Sequence, residues 1–161
     1  MSRTRSRTGT SLKFNRRETL ALGAGFAVGA LTQASPVDAQ TIERAMAEIA
    51  RFTGGAEPVR ARIELDLPAI AENGGAVPIS ILVESPMTPE SFVERVMVVT
   101  TANPYTRALA ASFTPASGRA ELTTRIRLAA TQQIFAVARM SDGTFFMDSK
   151  TVKVTVGGCG G

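Results

Sequence analysis

The chain has 161 residues, 18 lysines and arginines against 14 aspartates and glutamates, one cysteine and no histidine. Without imidazole there is no histidine-paired nucleophile and no histidine-built zinc or copper site, and one thiol alone cannot hold a metal. The surplus of positive charge lies wholly within residues 1–39, so it gives no basis for a nucleic-acid or membrane partner, and neither is expected.

Residues 1–20 hold Arg3, Arg5, Arg7, Lys13, Arg16 and Arg17. The pair Arg16-Arg17 precedes a moderately apolar stretch from about Leu20 to Leu31, and small residues follow up to Ala39. A basic region, an apolar region and a small-residue processing point make an export leader. The paired arginines mark it as a twin-arginine signal, which a bacterial receptor reads as an address to the periplasm. The apolar run is too short to span a membrane. Processing is expected after Ala39. Removing the six basic and two acidic residues of 1–39 from the totals of 18 and 14 leaves 12 of each, a net charge of zero. The remaining stretch from Gln40 is long enough for one domain with a core of its own.

From Thr41 to Arg51 the pattern predicts a helix. Ile42, Ala45, Met46 and Ile49 share one stripe, Thr41 stands where a cap would, and Gly54-Gly55 ends the element. The period then changes to two. Ile63, Leu65 and Leu67 alternate with Arg62, Glu64 and Asp66 in a first strand, and Glu72-Asn73-Gly74-Gly75 reads as a turn. Further strands are expected over Val77–Glu84, Phe92–Thr101, Ala108–Phe113, around Leu122–Leu128, over Gln133–Met140 and over Phe145–Val156. Prolines keep Ser85–Pro89 out of any central strand, and Ser141-Asp142-Gly143 signals a hairpin. Seven or so short strands after one amphipathic helix predict a mainly β fold, an antiparallel sandwich, with a barrel as the alternative. Glu64 with Asp66, and Arg125 with Arg127, read as solvated strand faces. No carboxylate pair stands out as acid and base, and neither catalytic residue, metal nor cofactor is expected.

The chain ends Gly157-Gly158-Cys159-Gly160-Gly161, directly after the last strand. Glycine on both sides gives no bulk and no preferred conformation. Five residues reach about 17 Å at full extension. The organisation expected is therefore a leader over 1–39, a helix-plus-sandwich domain over 40–156 that holds the arm, and a flexible arm over 157–161 with a thiol near its tip. An unpaired cysteine in an oxidising compartment must be capped, paired between chains or used.

That terminal motif resembles the SoxY family of the bacterial thiosulfate-oxidising Sox system. Ala71–Pro78 (AENGGAVP), Asn103-Pro104, Thr124–Ala129 (TRIRLA) and Ala136–Gly143 (AVARMSDG) look like segments of the same family, with a local departure at Tyr105. The resemblance implies an immunoglobulin-like sandwich and a heterodimer with a SoxZ-like subunit that lacks the cysteine. It implies a covalent substrate carrier, not an enzyme. Cys159 would hold the sulfur compound, SoxAX would join thiosulfate to it oxidatively, SoxB would release sulfate by hydrolysis, and SoxCD, where present, would oxidise the sulfur left behind.

The thiolate is the attacking form, and an unperturbed thiol is only a few per cent ionised at neutral pH. Nothing in the sequence beside Cys159 favours ionisation, and the C-terminal carboxylate opposes it, so activation is expected from each partner's site. Two other classes remain open on the residues alone. One is a periplasmic binding or chaperone module whose Cys159 forms a disulfide between chains, as in a disulfide dimer. The second is a small redox shuttle.

Overall fold

The computed structural model describes residues 36–158, with side chains from Gln40 onward. Helix α1 spans Pro36–Thr53. It begins before Thr41, which therefore lies inside the helix and not at its cap, and the processing point expected after Ala39 falls within it. Its buried side is Ala45, Glu48 and Ile49, with Phe52 partly covered. Ile42 and Met46 stay largely exposed, so the contact is rotated toward the 45–49–52 row from the stripe expected. The helix stops at Gly54-Gly55, where the Gly55 N–H reaches the Ala50 carbonyl at 2.9 Å.

Strands follow as β1 (Ile63–Asp66), β2 (Ile70–Asn73), β3 (Val77–Val83), β4 (Val93–Thr100), β5 (Arg107–Ser112), β6 (Ala120–Ile126), β7 (Gln132–Met140) and β8 (Phe145–Val156). They form a sandwich. One sheet has the order β1-β3-β6, the second β2-β8-β7-β4-β5. Pairing is antiparallel except between β2 and β8, which run parallel. The fully antiparallel arrangement expected from short connections thus fails at one edge. The turn expected over Glu72–Gly75 overlaps the second half of β2, a strand that no alternation announces because only Ala71 of its four residues is buried.

The main core lies between the sheets. Val77, Ile79, Ile81 and Val83 of β3 meet Val96 and Val98 of β4, Ile134, Ala136 and Ala138 of β7, and Val152 of β8. The alternate residues of β4 and β7, namely Met97, Val99, Phe135 and Val137, face the opposite way and are covered by Ala45 and Ile49 of α1. These two strands are apolar on both faces because each face has its own cover. A buried carboxylate sits at the edge of this second cluster. Glu48 accepts from Arg51 Nη1 at 2.7 Å and from Arg107 Nε at 2.9 Å, with Arg107 Nη2 also bonded to it. Pairing on both oxygens is what permits burial of a charge under the helix.

Glu64, Asp66, Arg125 and Arg127 are all exposed on outward faces, as read from the sequence. No helix among the described residues is long and apolar enough to cross a membrane.

Candidate functional site

β8 crosses the sandwich from the Ser141–Gly143 turn to the opposite end, where the chain leaves the sheet at Val156 and continues through Gly157 and Gly158. Cys159, Gly160 and Gly161 lie outside the described residues, as do Arg16, Arg17 and the leader up to residue 35. The candidate site is therefore built from the root of the arm.

Three backbone segments meet there. The Gly158 N–H donates to the Leu128 carbonyl at 2.9 Å, and the Leu128 N–H donates to the Gly74 carbonyl at 2.8 Å. The approach is too close for side chains. A Cβ at Gly74 would lie 2.1 Å from Leu128 O and 2.8 Å from Gly158 N. At Gly157 it would lie 2.2 Å from Ala129 O, and at Gly158 it would lie 2.4 Å from both the carbonyl carbon and oxygen of Gly74. None of these three glycines has a positive φ. They are glycine because the backbones touch, not because the chain turns there.

Side chains fix the surrounding loops. Asn103, between β4 and β5, donates from Nδ2 to the Arg127 carbonyl at 2.8 Å. Its Oδ1 accepts from the Ala129 N–H and from Gln132 Nε2, both at 2.9 Å. The buried Gln132 accepts the Ala102 N–H at 2.7 Å through Oε1, which ties the β4–β5 loop to the start of β7. Asn73 Oδ1 accepts the Gly75 N–H at 2.7 Å and shapes the short 3-10 turn Gly74–Ala76. Thr131 Oγ1 accepts the Val154 N–H at 2.9 Å and so holds β8 just before the arm. These side-chain bonds hold the loops in place where they present backbone to the arm.

Arg125 and Arg127, with Asn103 and Tyr105, line an open cavity of about 440 Å³ on the flank of this end. Neither arginine forms an ion pair among the described residues, so two guanidinium groups stand free beside the segment that holds Gly158. The described residues contain no group of three or more carboxylates able to hold a metal ion. Among the described residues, the one titratable group clearly perturbed is at the far end. The Thr144 hydroxyl and N–H, both bonded to Asp142 Oδ1, hold the Asp142 carboxyl below its usual range.

Of the residues expected to form the arm, the structure places Gly157 and Gly158 against Ala129, Leu128 and Gly74. Sequence reasoning did not identify Asn73, Asn103 or Gln132 as their supports. A signal was present: Ala71–Pro78, Asn103-Pro104 and Thr124–Ala129, quoted above as separate segments, converge on the arm root.

The family model for "Sulfur oxidation protein SoxY" matches residues 49–159. The solved structure of the sulfur carrier protein SoxY from Chlorobium limicola f thiosulfatophilum superposes with a TM-score of 0.62 at 24% identity, covering 73% of this chain and 97% of that one. A superoxide reductase (neelaredoxin) from Ignicoccus hospitalis superposes with a TM-score of 0.53 at 12% identity, covering 58% and 80%. At these identities the likeness is one of fold. No match is found among curated proteins.

Proposed function

Because the chain belongs to the SoxY family of sulfur oxidation proteins, we propose that it is a non-catalytic carrier whose Cys159 holds sulfur intermediates covalently in the periplasm. The observation that carries this reading is the path of β8. The strand leaves its sheet into Gly157-Gly158, and the chain's single thiol is the next residue. That thiol is thereby tethered to one end of the sandwich by a segment without side chains. The free guanidinium groups of Arg125 and Arg127 suit a cargo that ends in an oxyanion.

The Cys159 thiol and thiosulfate join through a new S–S bond to give a cysteine S-thiosulfonate. One proton and two electrons leave, the electrons going to a haem enzyme of the SoxAX kind. Water then cleaves the bond between the sulfane sulfur and the sulfonate sulfur, with no change of electrons. It releases sulfate and two protons and leaves a persulfide anion on Cys159. A SoxCD-type enzyme would oxidise that sulfur further, and SoxB would supply the hydrolysis. In the first step this chain contributes the sulfur nucleophile, in the later ones it holds the sulfur that water attacks or that is oxidised, and the partner supplies activation. A SoxZ-like subunit completes the carrier as a heterodimer. Exposed Ile42 and Met46 on α1, and the uncovered edges of both sheets, leave surface for it.

Intact mass of the protein from thiosulfate-grown cells tests the reading. Adducts in steps of sulfur or thiosulfate, absent from Cys159→Ser, are expected, since a hydroxyl is a far weaker nucleophile at neutral pH. A doubled mass that collapses with reductant, and nothing else, would instead establish an intermolecular disulfide module. Export is tested separately: Arg16→Lys with Arg17→Lys should strand the precursor in the cytoplasm, and periplasmic protein beginning at Met1 would refute the leader.

A further inference from the structure

We propose that Gly74 and the Leu128–Ala129 backbone form a seat for Gly157 and Gly158, so that the arm pivots at Gly158 and not at Val156. Gly74 is then a positioning residue for Cys159. The functional half of this inference rests on the carrier reading; the seat itself does not.

The seat is built on both sides. Gly74 offers its bare Cα, with a Cβ position only 2.8 Å from the Gly158 nitrogen, while Leu128 supplies the carbonyl that accepts the Gly158 N–H at 2.9 Å. Ala129 O closes over Gly157, where a Cβ would lie 2.2 Å away. The supports behind it are side-chain bonds from Asn73 to Gly75 and from Asn103 to Arg127 and Ala129. A glycine thread needed only for looseness would not require glycine at Gly74, which lies in another loop.

The consequence is one of reach. Pivoting at Gly158 leaves a single Cα step, about 3.8 Å, to Cys159, whereas pivoting at Val156 would leave three steps, about 10–11 Å. A short lever points the thiol in a limited cone from the sandwich end. An enzyme that receives it must therefore bring its entrance against the loops at 73–76, 101–106 and 127–131, and recognition of the body becomes part of recognition of the cargo.

Amide hydrogen exchange of the free full-length protein tests the seat without any sulfur chemistry. In the parent, the Gly158 amide is expected to exchange roughly tenfold or more slowly than that of Gly160. Gly158→Ala should abolish this protection while leaving the melting temperature within about 2 °C, because the chain end can leave the seat without opening the sheets. Gly160→Ala, the same change beyond the thiol, should leave the Gly158 amide protected in its usual degree. In the reconstituted thiosulfate-oxidising system, Gly158→Ala should raise the KM for the carrier by roughly tenfold with kcat largely kept, since the freed arm must be ordered again on entry. Equal exchange at Gly158 and Gly160 in the parent would mean there is no seat in solution, whatever the cargo. Unchanged KM in Gly158→Ala, or a melting temperature lowered by more than about 5 °C, would overturn the positioning role. A parent that fails to turn over thiosulfate removes the carrier reading and the positioning role with it, while the exchange data still decide the seat.

Discussion

The two ends of the sandwich use the same residue for opposite reasons. At the end away from the arm, Gly118 and Gly143 have φ of 68° and 84°, and a Cβ on either would meet nothing within 4 Å. There glycine permits a left-handed backbone, and space is free. At the arm end, Gly74, Gly157 and Gly158 have no positive φ, and a Cβ on each would lie within 2.4 Å of another backbone. There the backbone is ordinary, and space is the constraint. Turns at the first end are local solutions within a few residues. Contacts at the second join β2, β6 and β8 across long stretches of sequence, so that end depends on the fold as a whole.

The largest expected effect tests that contrast directly. Gly74→Ala should destabilise the protein by about 3 kcal/mol or more, because a Cβ there would lie 2.1 Å from the Leu128 carbonyl oxygen, and Leu128 cannot yield without breaking its backbone bond to Gly74. Urea or thermal unfolding measures it. A cost no larger than that of Gly118→Ala would erase the distinction between the two ends. Next, Asn103→Ala removes three hydrogen bonds and leaves the buried Gln132 amide short of a partner, at a cost of about 2 kcal/mol. The matching change at the other end, Ser141→Ala, removes one bond, from the Phe92 N–H, and should cost about 0.5–1 kcal/mol. Equal losses would show that the arm end is no more cross-linked than the hairpin end.

Smaller still is Gly143→Ala, with strain of about 1 kcal/mol from a left-handed backbone and no clash to add to it. Gly143→Asn should recover part of that cost, because asparagine tolerates the same region. If asparagine is no better than alanine, backbone conformation is not what selects glycine in this turn. The smallest effect is on titration. Thr144→Val deletes the hydroxyl bonded to Asp142 and should move the Asp142 carboxyl up toward its ordinary range, as read by carboxyl-carbon NMR. Asp142 is depressed in the folded chain. Its contribution is therefore complete above the ordinary aspartate range and is lost as pH falls through the lowered folded value. An unmoved titration would assign the depression to the Thr144 N–H alone.

Much of the sandwich could be read beforehand where one residue type has one use. Alternation at Ile79, Ile81 and Val83 announced β3, and the strands expected over Gln133–Met140 and Phe145–Val156 are β7 and β8. Gly54-Gly55 and Ser141-Asp142-Gly143 marked real chain reversals. What escaped reading has a physical cause in each case. β2 buries only Ala71 and owes its existence to β8, some 80 residues later in the chain. Glu48 resembles any exposed helical carboxylate until Arg107, 59 residues away, is placed over it. The helix stripe included Ile42 and Met46 because hydrophobicity does not say how wide the opposing surface is. For the site, the thiol and its glycines were plain. The close fit of Gly74 on Gly158 was not, because a glycine that bends a chain and a glycine that lets two chains touch are written with the same letter.

The parallel β2–β8 pair has one consequence for force. Toward its C-terminal end β8 is held by β2 at Lys153, Val154 and Val156, and farther back by β7 from Val152 to Phe145. A pull on the C-terminus runs along the strand axis. It loads those bonds together in shear instead of peeling them off singly. Tension applied to the chain end is therefore shared between the edge strand β2 and the interior strand β7.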